Sequence, residues 1–367
     1  MKLKKLFAGI LAVAMMATMA APAFAAGTDN GYSVGTPKIT VNENREFEIE
    51  KKYIKNDNGT IPDETFHLTV TKDSVTNSTV TDADFKTAGS YELTVEDARI
   101  ANGVVSNFKI TLPEITKPGV FKYKLTEDNN GIAGVTYDNA TYELTVYATQ
   151  RTKVNKEDKS TTNDIQYSVR LDRGKTDTAE AANKVKEINN SYAAEPLTIT
   201  KTVNGNMGDR TREFEFAVKF KAPAGKTVKS VIQVAGEHGN VTDVKGGTLT
   251  NGVLKFDDNA TEVSLNVKLK HGQTVNFTNL PKDVEYTVAE TRVEGYKTYI
   301  NNSDADNNEI EGKIEDTAVT IDYENVNGDT TIDTGVILDN APYIALMMVV
   351  VAGAAVMIIK KRRHFED

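Results

Sequence analysis

Apolar and polar residues alternate with a period of two along most of this chain. The alternation is clearest in five runs, which are Thr65–Val70, Val120–Leu125, Thr141–Tyr147, Glu213–Phe220 and Val263–Val267. Clusters of Asn, Asp and Gly, such as residues 56–59 and 128–131, separate runs of this kind. Half-buried strands of antiparallel sheets have this period, and such clusters form their turns. The pattern predicts an all-β protein with two tandem β-sandwiches of the immunoglobulin-like kind.

Three short segments recur in the same order in the two halves of the body. The pairs are Phe47–Tyr53 with Leu197–Val203, Tyr123–Glu127 with Tyr286–Glu290, and Ile188–Asn190 with Tyr323–Asn325. An internal repeat of this length marks two copies of one structural unit. We therefore expect one sandwich over residues 36–192 and a second over residues 193–327.

Each copy carries a Lys, a Glu and an Asn on the strand face of its apolar neighbours. The first trio is Lys51, Glu127 and Asn190, and the second is Lys201, Glu290 and Asn325. Residues two apart on a strand face the same side, so both trios are expected to point into the cores. Lys52 is the alternative to Lys51 as the Lys of the first trio, but its position on the strand places its side chain on the outer face.

Charged side chains in a core are costly, so their inward parity needs a chemical explanation. Burial lowers the pKa of a Lys and raises that of a Glu until both can be neutral. A neutral amine can attack an Asn carboxamide, while a protonated Glu hydrogen-bonds the carbonyl and shuttles protons to the departing ammonia. The product is a Lys–Asn isopeptide crosslink. Ion pairs also explain inward charges, but two trios in matching context favour the crosslink.

The N-terminus has the features of a secretory signal peptide over residues 1–25. A basic start precedes the apolar run Leu6–Ala21 and the small-residue cleavage site Ala23–Ala25. A retained membrane anchor is the alternative, but the run is short and ends in small residues. The mature chain is expected to begin at Ala26, with residues 26–35 preceding the first sandwich.

The C-terminus resembles a Gram-positive cell-wall sorting signal. Residues 328–335 contain the pentapeptide Thr331–Gly335, and residues 336–367 contain an uncharged run followed by four basic residues. Such a run can just span a bilayer, so a simple single-pass anchor is the alternative. The resemblance implies that a sortase cuts between Thr334 and Gly335 and removes the rest. Thr331 and Ile332 stand where Leu and Pro are usual, which favours a dedicated sortase.

Composition excludes several other functions. The 367-residue chain has no Cys and four scattered His, so we expect no disulfide, metal or cofactor. The net charge is -9, and removing the two basic ends leaves a body of about -13, which argues against nucleic-acid binding. No catalytic motif for an external substrate is present, so the chain is not expected to be an enzyme beyond crosslinking itself.

Three further segments of the body carry a resemblance, and they are Lys117–Glu127, Gly208–Phe216 and Thr278–Glu290. They resemble the two-domain backbone pilins of sortase-assembled Gram-positive pili, the pilin isopeptide-linkage-domain family. The resemblance covers residues 36–335 and implies two CnaB-like sandwiches, each with an internal Lys–Asn bond and a catalytic Glu. Carried over by motif, the bonds are Lys51 to Asn190 with Glu127, and Lys201 to Asn325 with Glu290.

The same resemblance implies a covalent polymer on the cell wall or pilus of a Gram-positive bacterium. Sortase would join Thr334 of one subunit to an exposed Lys near the end of the next subunit's first domain. Lys184 is the first choice for this acceptor, with Lys186 and Lys175 as alternatives. Sortase, identical subunits, minor tip and basal pilins and peptidoglycan are the implied partners. A monomeric sortase-anchored adhesin with ligand-binding loops is the competing hypothesis, and polymerisation separates the two.

Overall fold

The computed structural model describes residues 39–101, 103–154, 161–174 and 184–328. The predicted signal peptide, the segment 26–35, Lys175 and everything after Gly328, including Thr334 and Gly335, lie outside these ranges. Within the described ranges, no helix is long and apolar enough to cross a membrane.

The first half of the described chain is built of strands with one short helix. The elements are β1 Glu46–Lys55, β2 Glu64–Phe66, β3 Leu68–Thr76, α1 Asp82–Lys86, β4 Thr94–Glu96, β5 Ala98–Ile100, β6 Val105–Thr111, β7 Gly119–Glu127, β8 Val135–Thr136, β9 Thr141–Val154, β10 Thr161–Arg173, β11 Lys184–Val185 and β12 Glu187–Tyr192.

The second half continues with strands alone in its described residues. They are β13 Ala194–Asn204, β14 Phe214–Lys221, β15 Ile232–Ala235, β16 Val241–Lys245, β17 Gly247–Thr250, β18 Val253–Phe256, β19 Glu262–Leu269, β20 Thr274–Pro281, β21 Glu285–Glu290, β22 Lys297–Ile300, β23 Ser303–Asp304, β24 Glu309–Lys313 and β25 Val319–Val326.

The first domain packs two sheets on a common core. One sheet has the order β4-β6-β1-β12-β8 and the other β11-β10-β9-β7-β3, while β2 and β5 form a small separate ladder. Ile49 of β1 and Leu144 of β9 belong to the same buried apolar cluster, so the two sheets meet face to face. Neighbouring strands are mostly antiparallel, but β1 and β12 run parallel.

The second domain repeats this plan. Its sheets have the orders β17-β18-β15-β20-β13-β25-β22-β23 and β16-β19-β14-β21-β24. Ile199 of β13 and Val218 of β14 share a second buried apolar cluster. Here β13 and β25, the first and last strands of the domain, are the parallel neighbours. The all-β fold of two tandem sandwiches is confirmed, whereas the limits at residues 36, 192 and 327 remain predictions.

Polar contacts join the two domains across a linker of one residue, Ala193. Asn56 Nδ2 donates to Glu195 Oε1 over 2.8 Å, and Asn58 Nδ2 donates to the other carboxylate oxygen over 2.6 Å. The backbone N–H of Thr60 donates to Asn279 Oδ1 over 2.8 Å. Glu195 and Asn279 are both buried, so these bonds satisfy polar groups that would otherwise be costly.

Candidate functional site

Parallel pairing of the first and last strands brings the predicted Lys and Asn of each domain together. Lys51 lies opposite Ile188, so Asn190, two residues further along, points to the same side of the sheet. In the second domain Lys201 lies opposite Tyr323, which places Asn325 in the same relation. Lys51, Asn190, Lys201 and Asn325 are all buried, with exposed fractions of 0 to 1 %.

The Glu of each domain approaches from the opposite sheet. Glu127 is the last residue of β7 and Glu290 the last residue of β21. In the first domain, Lys51 Nζ lies 2.5 Å from Glu127 Oε2, and Asn190 Nδ2 lies 2.5 Å from Glu127 Oε1. The side chains of Lys51 and Glu127 are both fully buried.

The second domain has the same arrangement with longer contacts. Lys201 Nζ and Asn325 Nδ2 each lie 3.0 Å from Glu290 Oε1. Lys201 Nζ thus has Glu290 as its ion-pair partner, whereas Asn325 Oδ1 makes no hydrogen bond among the described residues. Thr298 Oγ1 donates to the second carboxylate oxygen over 3.3 Å.

Burial dominates the electrostatics of both trios. Desolvation lowers the pKa of Lys51, with Glu127 opposing the shift, and it raises the pKa of Glu127 against the opposing charge of Lys51. It likewise lowers the pKa of Lys201 to about 8 and raises that of Glu290. Burial therefore favours moving the proton from the amine to the carboxylate, which leaves a neutral nucleophile.

An aromatic ring lies against each Lys. Lys51 Nζ lies 4.5 Å from the centroid of the Phe66 ring, and Lys201 Nζ lies 4.4 Å from that of Phe214. Both rings are fully buried. They shield the amines from water, which strengthens the desolvation that makes them nucleophilic. The sequence analysis did not identify these rings, because one belongs to a separate ladder and the other to the neighbouring sheet.

The expected hydrogen bond from Glu to the Asn carbonyl is not present, and this part of the prediction is corrected. Both Glu side chains face the amide nitrogen of the Asn instead. The reason is that a carboxylate without a proton can only accept hydrogen bonds, so the Asn amide presents its donor nitrogen to it. In the first domain the carbonyl oxygen of Asn190 accepts from the backbone N–H of Asp138 over 2.9 Å. The Glu is therefore placed to pass a proton from nucleophile to leaving group.

A second carboxylate near Lys51 was also missed. Glu64 is buried and accepts from the hydroxyls of Tyr53 and Tyr137 and from Asn130 Nδ2. Its charge is one of the smaller influences that raise the pKa of Glu127. Since Glu64 stands in β2, outside the repeated segments, the internal repeat gave no signal for it.

The predicted acceptor lysines differ in accessibility. Lys184 was expected to be exposed, but only 7 % of it is accessible, so that prediction is wrong on this point. Pairing of β11 with β10 places Lys184 opposite Asp172, and its burial, then the charge of Arg170, lower its pKa. Lys186 is exposed. Lys175 lies outside the described residues.

Comparison with known proteins relates both halves of the chain to described domains. Residues 46–193 match the model of the Spy0128-like isopeptide containing domain, and residues 195–327 match a domain of unknown function (DUF7601). A curated pilin of Streptococcus pyogenes serotype M1 is 27% identical over 350 residues, which cover 89% of this chain and 92% of that protein.

Solved structures of major pilins are also similar to this chain. The crystal structure of the major pilin from Streptococcus pyogenes is 22% identical, with a TM-score of 0.45 over 78% of this chain and 100% of that one. The major pilin T3.2 of the same species is 20% identical, with a TM-score of 0.46 over 79% of this chain and 100% of that one.

Proposed function

This chain belongs to the backbone pilins, and we propose that it is the repeating subunit of a covalently polymerised pilus whose two domains are each closed by a Lys–Asn isopeptide bond. One observation carries the proposal. In each of two sandwiches, a buried Lys on the first strand and a buried Asn on the last strand meet a Glu from the opposite sheet. A single buried ion pair is common, but the same trio in the same strand geometry twice indicates a shared chemical purpose.

The proposed reaction joins the amine to the carboxamide and releases ammonia. The lone pair of neutral Lys51 Nζ attacks Asn190 Cγ, and the carbonyl electron pair moves onto Oδ1. Glu127, which holds the proton while Lys51 is neutral, delivers it to Nδ2 and takes one from the attacking nitrogen, so the Cγ–Nδ2 bond breaks and ammonia leaves. The carbonyl re-forms as an amide between Nζ and Cγ. The same steps apply to Lys201, Asn325 and Glu290, and no external reactant is needed.

Bond formation would also remove a buried ionisable amine from the second core. Lys201 Nζ is buried and has Glu290 as its ion-pair partner. An ionised amine in an apolar core is costly even when it is paired. After the reaction the buried amine is an amide nitrogen rather than a group that can carry charge, so the uncrosslinked core is less favourable than the crosslinked one.

The crosslinks close long loops in the chain. Lys51 and Asn190 are separated by about 140 residues, and Lys201 and Asn325 by about 125 residues, which on the disulfide loop model contributes roughly 4 to 5 kcal/mol each. Both bonds join terminal strands of a sandwich. Neither domain could then be pulled out to its full length without breaking a covalent bond.

For polymerisation we propose that sortase joins Thr334 of one subunit to Lys186 of the next. Lys186 is exposed and lies beside an open groove of ≈ 400 Å³, whereas Lys184 is buried. The amine of Lys186 is therefore reachable by a large enzyme carrying the Thr carboxyl. Lys175 remains in the set to be tested.

This placement gives the fibre a short covalent load path. Tension entering at Lys186 runs along β12 and β13 to Lys201, crosses the second isopeptide to Asn325 and leaves through Thr334. Most of the second domain is bypassed, and the first domain lies beside the path. Such a path resists tension in a way that hydrogen-bonded ladders alone do not.

Polymerisation is tested by electrophoresis of cell-wall extracts boiled in detergent and probed with antibody to this chain. A backbone subunit gives a ladder of high-mass species, and Thr334→Ala collapses the ladder to the monomer. A single main species from the unaltered chain would instead identify a monomeric wall-anchored adhesin.

A further inference from the structure

The two reaction sites differ at the carbonyl oxygen that must accept negative charge. In the first domain, Asn190 Oδ1 accepts a 2.9 Å hydrogen bond from the backbone N–H of Asp138. In the second domain, Asn325 Oδ1 has no hydrogen-bond partner among the described residues. Both domains share the Lys, Glu and Asn, and this donor is the difference that lies on the reacting carbonyl itself.

Strand length explains why only the first domain has the donor. β8 ends at Thr136, opposite Ser191, one position before the residue that would lie opposite Asn190. The chain then leaves the sheet and turns over the carboxamide of Asn190. In the second domain β22 continues past this point, with Thr298 opposite Asn325. Its backbone N–H groups there keep the orientation of the sheet and do not turn toward the carboxamide.

The carboxylate of Asp138 holds this turn in place. Its Oδ1 accepts the backbone N–H of Ala140 over 2.8 Å, and its Oδ2 accepts the hydroxyl of Tyr142 over 2.7 Å. Arg173 lies 3.1 Å from Oδ2 and offsets the negative charge. Tyr142 is almost fully buried, so its hydroxyl is a rigid anchor. The N–H is thereby fixed before any reaction begins.

We propose that the backbone N–H of Asp138 is the donor that activates the Asn190 carbonyl, and that the first-domain bond consequently forms faster than the second. This inference rests on the isopeptide chemistry proposed above. When Lys51 Nζ attacks Cγ, the carbonyl electron pair moves onto Oδ1, where the fixed N–H stabilises it. The pair returns to re-form the carbonyl as the Cγ–Nδ2 bond breaks and ammonia leaves. A preorganised donor at such an oxygen is worth up to about 100- to 1,000-fold in rate.

The carboxylate of Asp138 acts as a positioning group rather than as a reactant. Asp138→Ala removes the contacts to Ala140, Tyr142 and Arg173 but keeps the N–H, so it tests whether positioning matters. Asp138→Asn retains an oxygen acceptor for the Ala140 N–H and is the conservative rescue. Tyr142→Phe removes one anchor and leaves the rest of the turn unchanged.

The experiment follows both bonds in the full-length mature chain. Unlinked chain recovered unfolded from insoluble expression is refolded by dilution and quenched at intervals, and mass spectrometry of a digest quantifies the two crosslinked peptides separately. We expect the first bond to appear ahead of the second in the unaltered chain. Asp138→Ala should slow the first bond about 10- to 100-fold without changing the second, and Asp138→Asn should restore most of the rate.

The second bond is the internal control for folding and for the chemistry itself. An unchanged first-domain rate in Asp138→Ala, or a second bond that forms first in the unaltered chain, overturns the inference. If Asp138→Ala does not fold, Tyr142→Phe takes its place, and an unchanged first-domain rate in that variant overturns the inference equally. If the unaltered chain loses no ammonia in either domain, the proposed crosslinks themselves are refuted.

Discussion

Lys51 and Asn190 reach one carboxylate from neighbouring parallel strands, with Nζ and Nδ2 each 2.5 Å from an oxygen of Glu127. The nucleophile and the nitrogen that must leave are thus bridged by a single group that can carry a proton between them. Glu290 bridges Lys201 and Asn325 in the same way at 3.0 Å. The predictions below follow from this relationship.

Replacing the bridging carboxylate should abolish one crosslink and spare the other. In Glu290→Gln the group cannot accept the proton of Lys201, so we expect no crosslinked peptide between Lys201 and Asn325. The first-domain crosslink should form normally. Peptide mass spectrometry measures both. Glu285→Gln is the matched control, because Glu285 is exposed on the same strand; a persistent second crosslink in Glu290→Gln contradicts the assigned role.

Loss of a crosslink should lower stability by an amount set by loop length. Asn190→Ala removes the bond partner of Lys51, and we expect the free energy of unfolding of the first domain to fall by roughly 4 to 5 kcal/mol. Guanidinium unfolding measures the change. Asn189→Ala is the control, since Asn189 is the neighbouring residue on β12 but contacts Glu187 instead. Equal midpoints for the two variants would argue against a bond at Asn190.

The rate of second-domain bond formation should fall above pH 8. The pKa of Lys201 is lowered to about 8 by burial, while that of Glu290 is raised. At pH values between the pKa of Glu290 and that of Lys201, the two groups together hold one proton. That proton lies either on the amine, which gives an ion pair, or on the carboxyl, which leaves the amine neutral. Above pH 8 this last proton leaves, so the Glu has none to give to the departing nitrogen.

Refolding of the unlinked chain at pH values on either side of 8 measures this dependence. We expect a rate that changes little below pH 8 and falls about tenfold per unit above it. A rate that rises through pH 8 to a plateau would show that Glu290 acts as a carboxylate base alone.

Mechanical extension should reveal the bypass of the second domain. In a single chain pulled from its first domain and its C-terminus, the unaltered protein should show no unfolding step for residues 201–325. Asn325→Ala should add a step of about 400 Å, because about 125 residues become extensible at roughly 3.5 Å each. A step of that length in the crosslinked chain would contradict the proposed load path.

The acceptor lysine should follow accessibility. Lys186→Arg keeps the charge but removes the primary amine, and we expect it to eliminate the high-mass ladder in wall extracts. Lys184→Arg should leave the ladder intact, because Lys184 is buried. Lys175→Arg completes the set; loss of the ladder in that variant alone would move the acceptor to Lys175 and refute the assignment to Lys186.

Strand parity was sufficient to predict the fold and the two trios. On β13 the side chains of Leu197, Ile199, Lys201 and Val203 all lie on the buried face, as a two-residue period requires, so burial of Lys201 follows from its apolar neighbours. The face of a strand on which a residue lies follows from the local sequence alone. The tandem repeat shows the same placement of Lys, Glu and Asn a second time. The parallel pairing of the terminal strands then brings the Lys and the Asn of each trio together, and the opposite sheet supplies the Glu.

Features that depend on loops and on register across strands were missed. The N–H of Asp138 reaches Asn190 only because β8 is short, and nothing local to Asp138 indicates that. Lys184 was expected to be exposed, but pairing of β11 with β10 buries it. The helix α1 did carry a readable signal, since Thr81 caps it and Asp84 follows at the position of a capping box.

The intact mass of the mature chain tests the central claim most directly. Two isopeptide bonds release two molecules of ammonia, so the chain should weigh about 34 Da less than its sequence predicts, and each domain's crosslinked peptide should account for about 17 Da. The Asn190→Ala and Asn325→Ala chains can each form one bond, so each should weigh about 17 Da less than its own sequence predicts. A mature chain whose mass equals the sequence value would contradict the account.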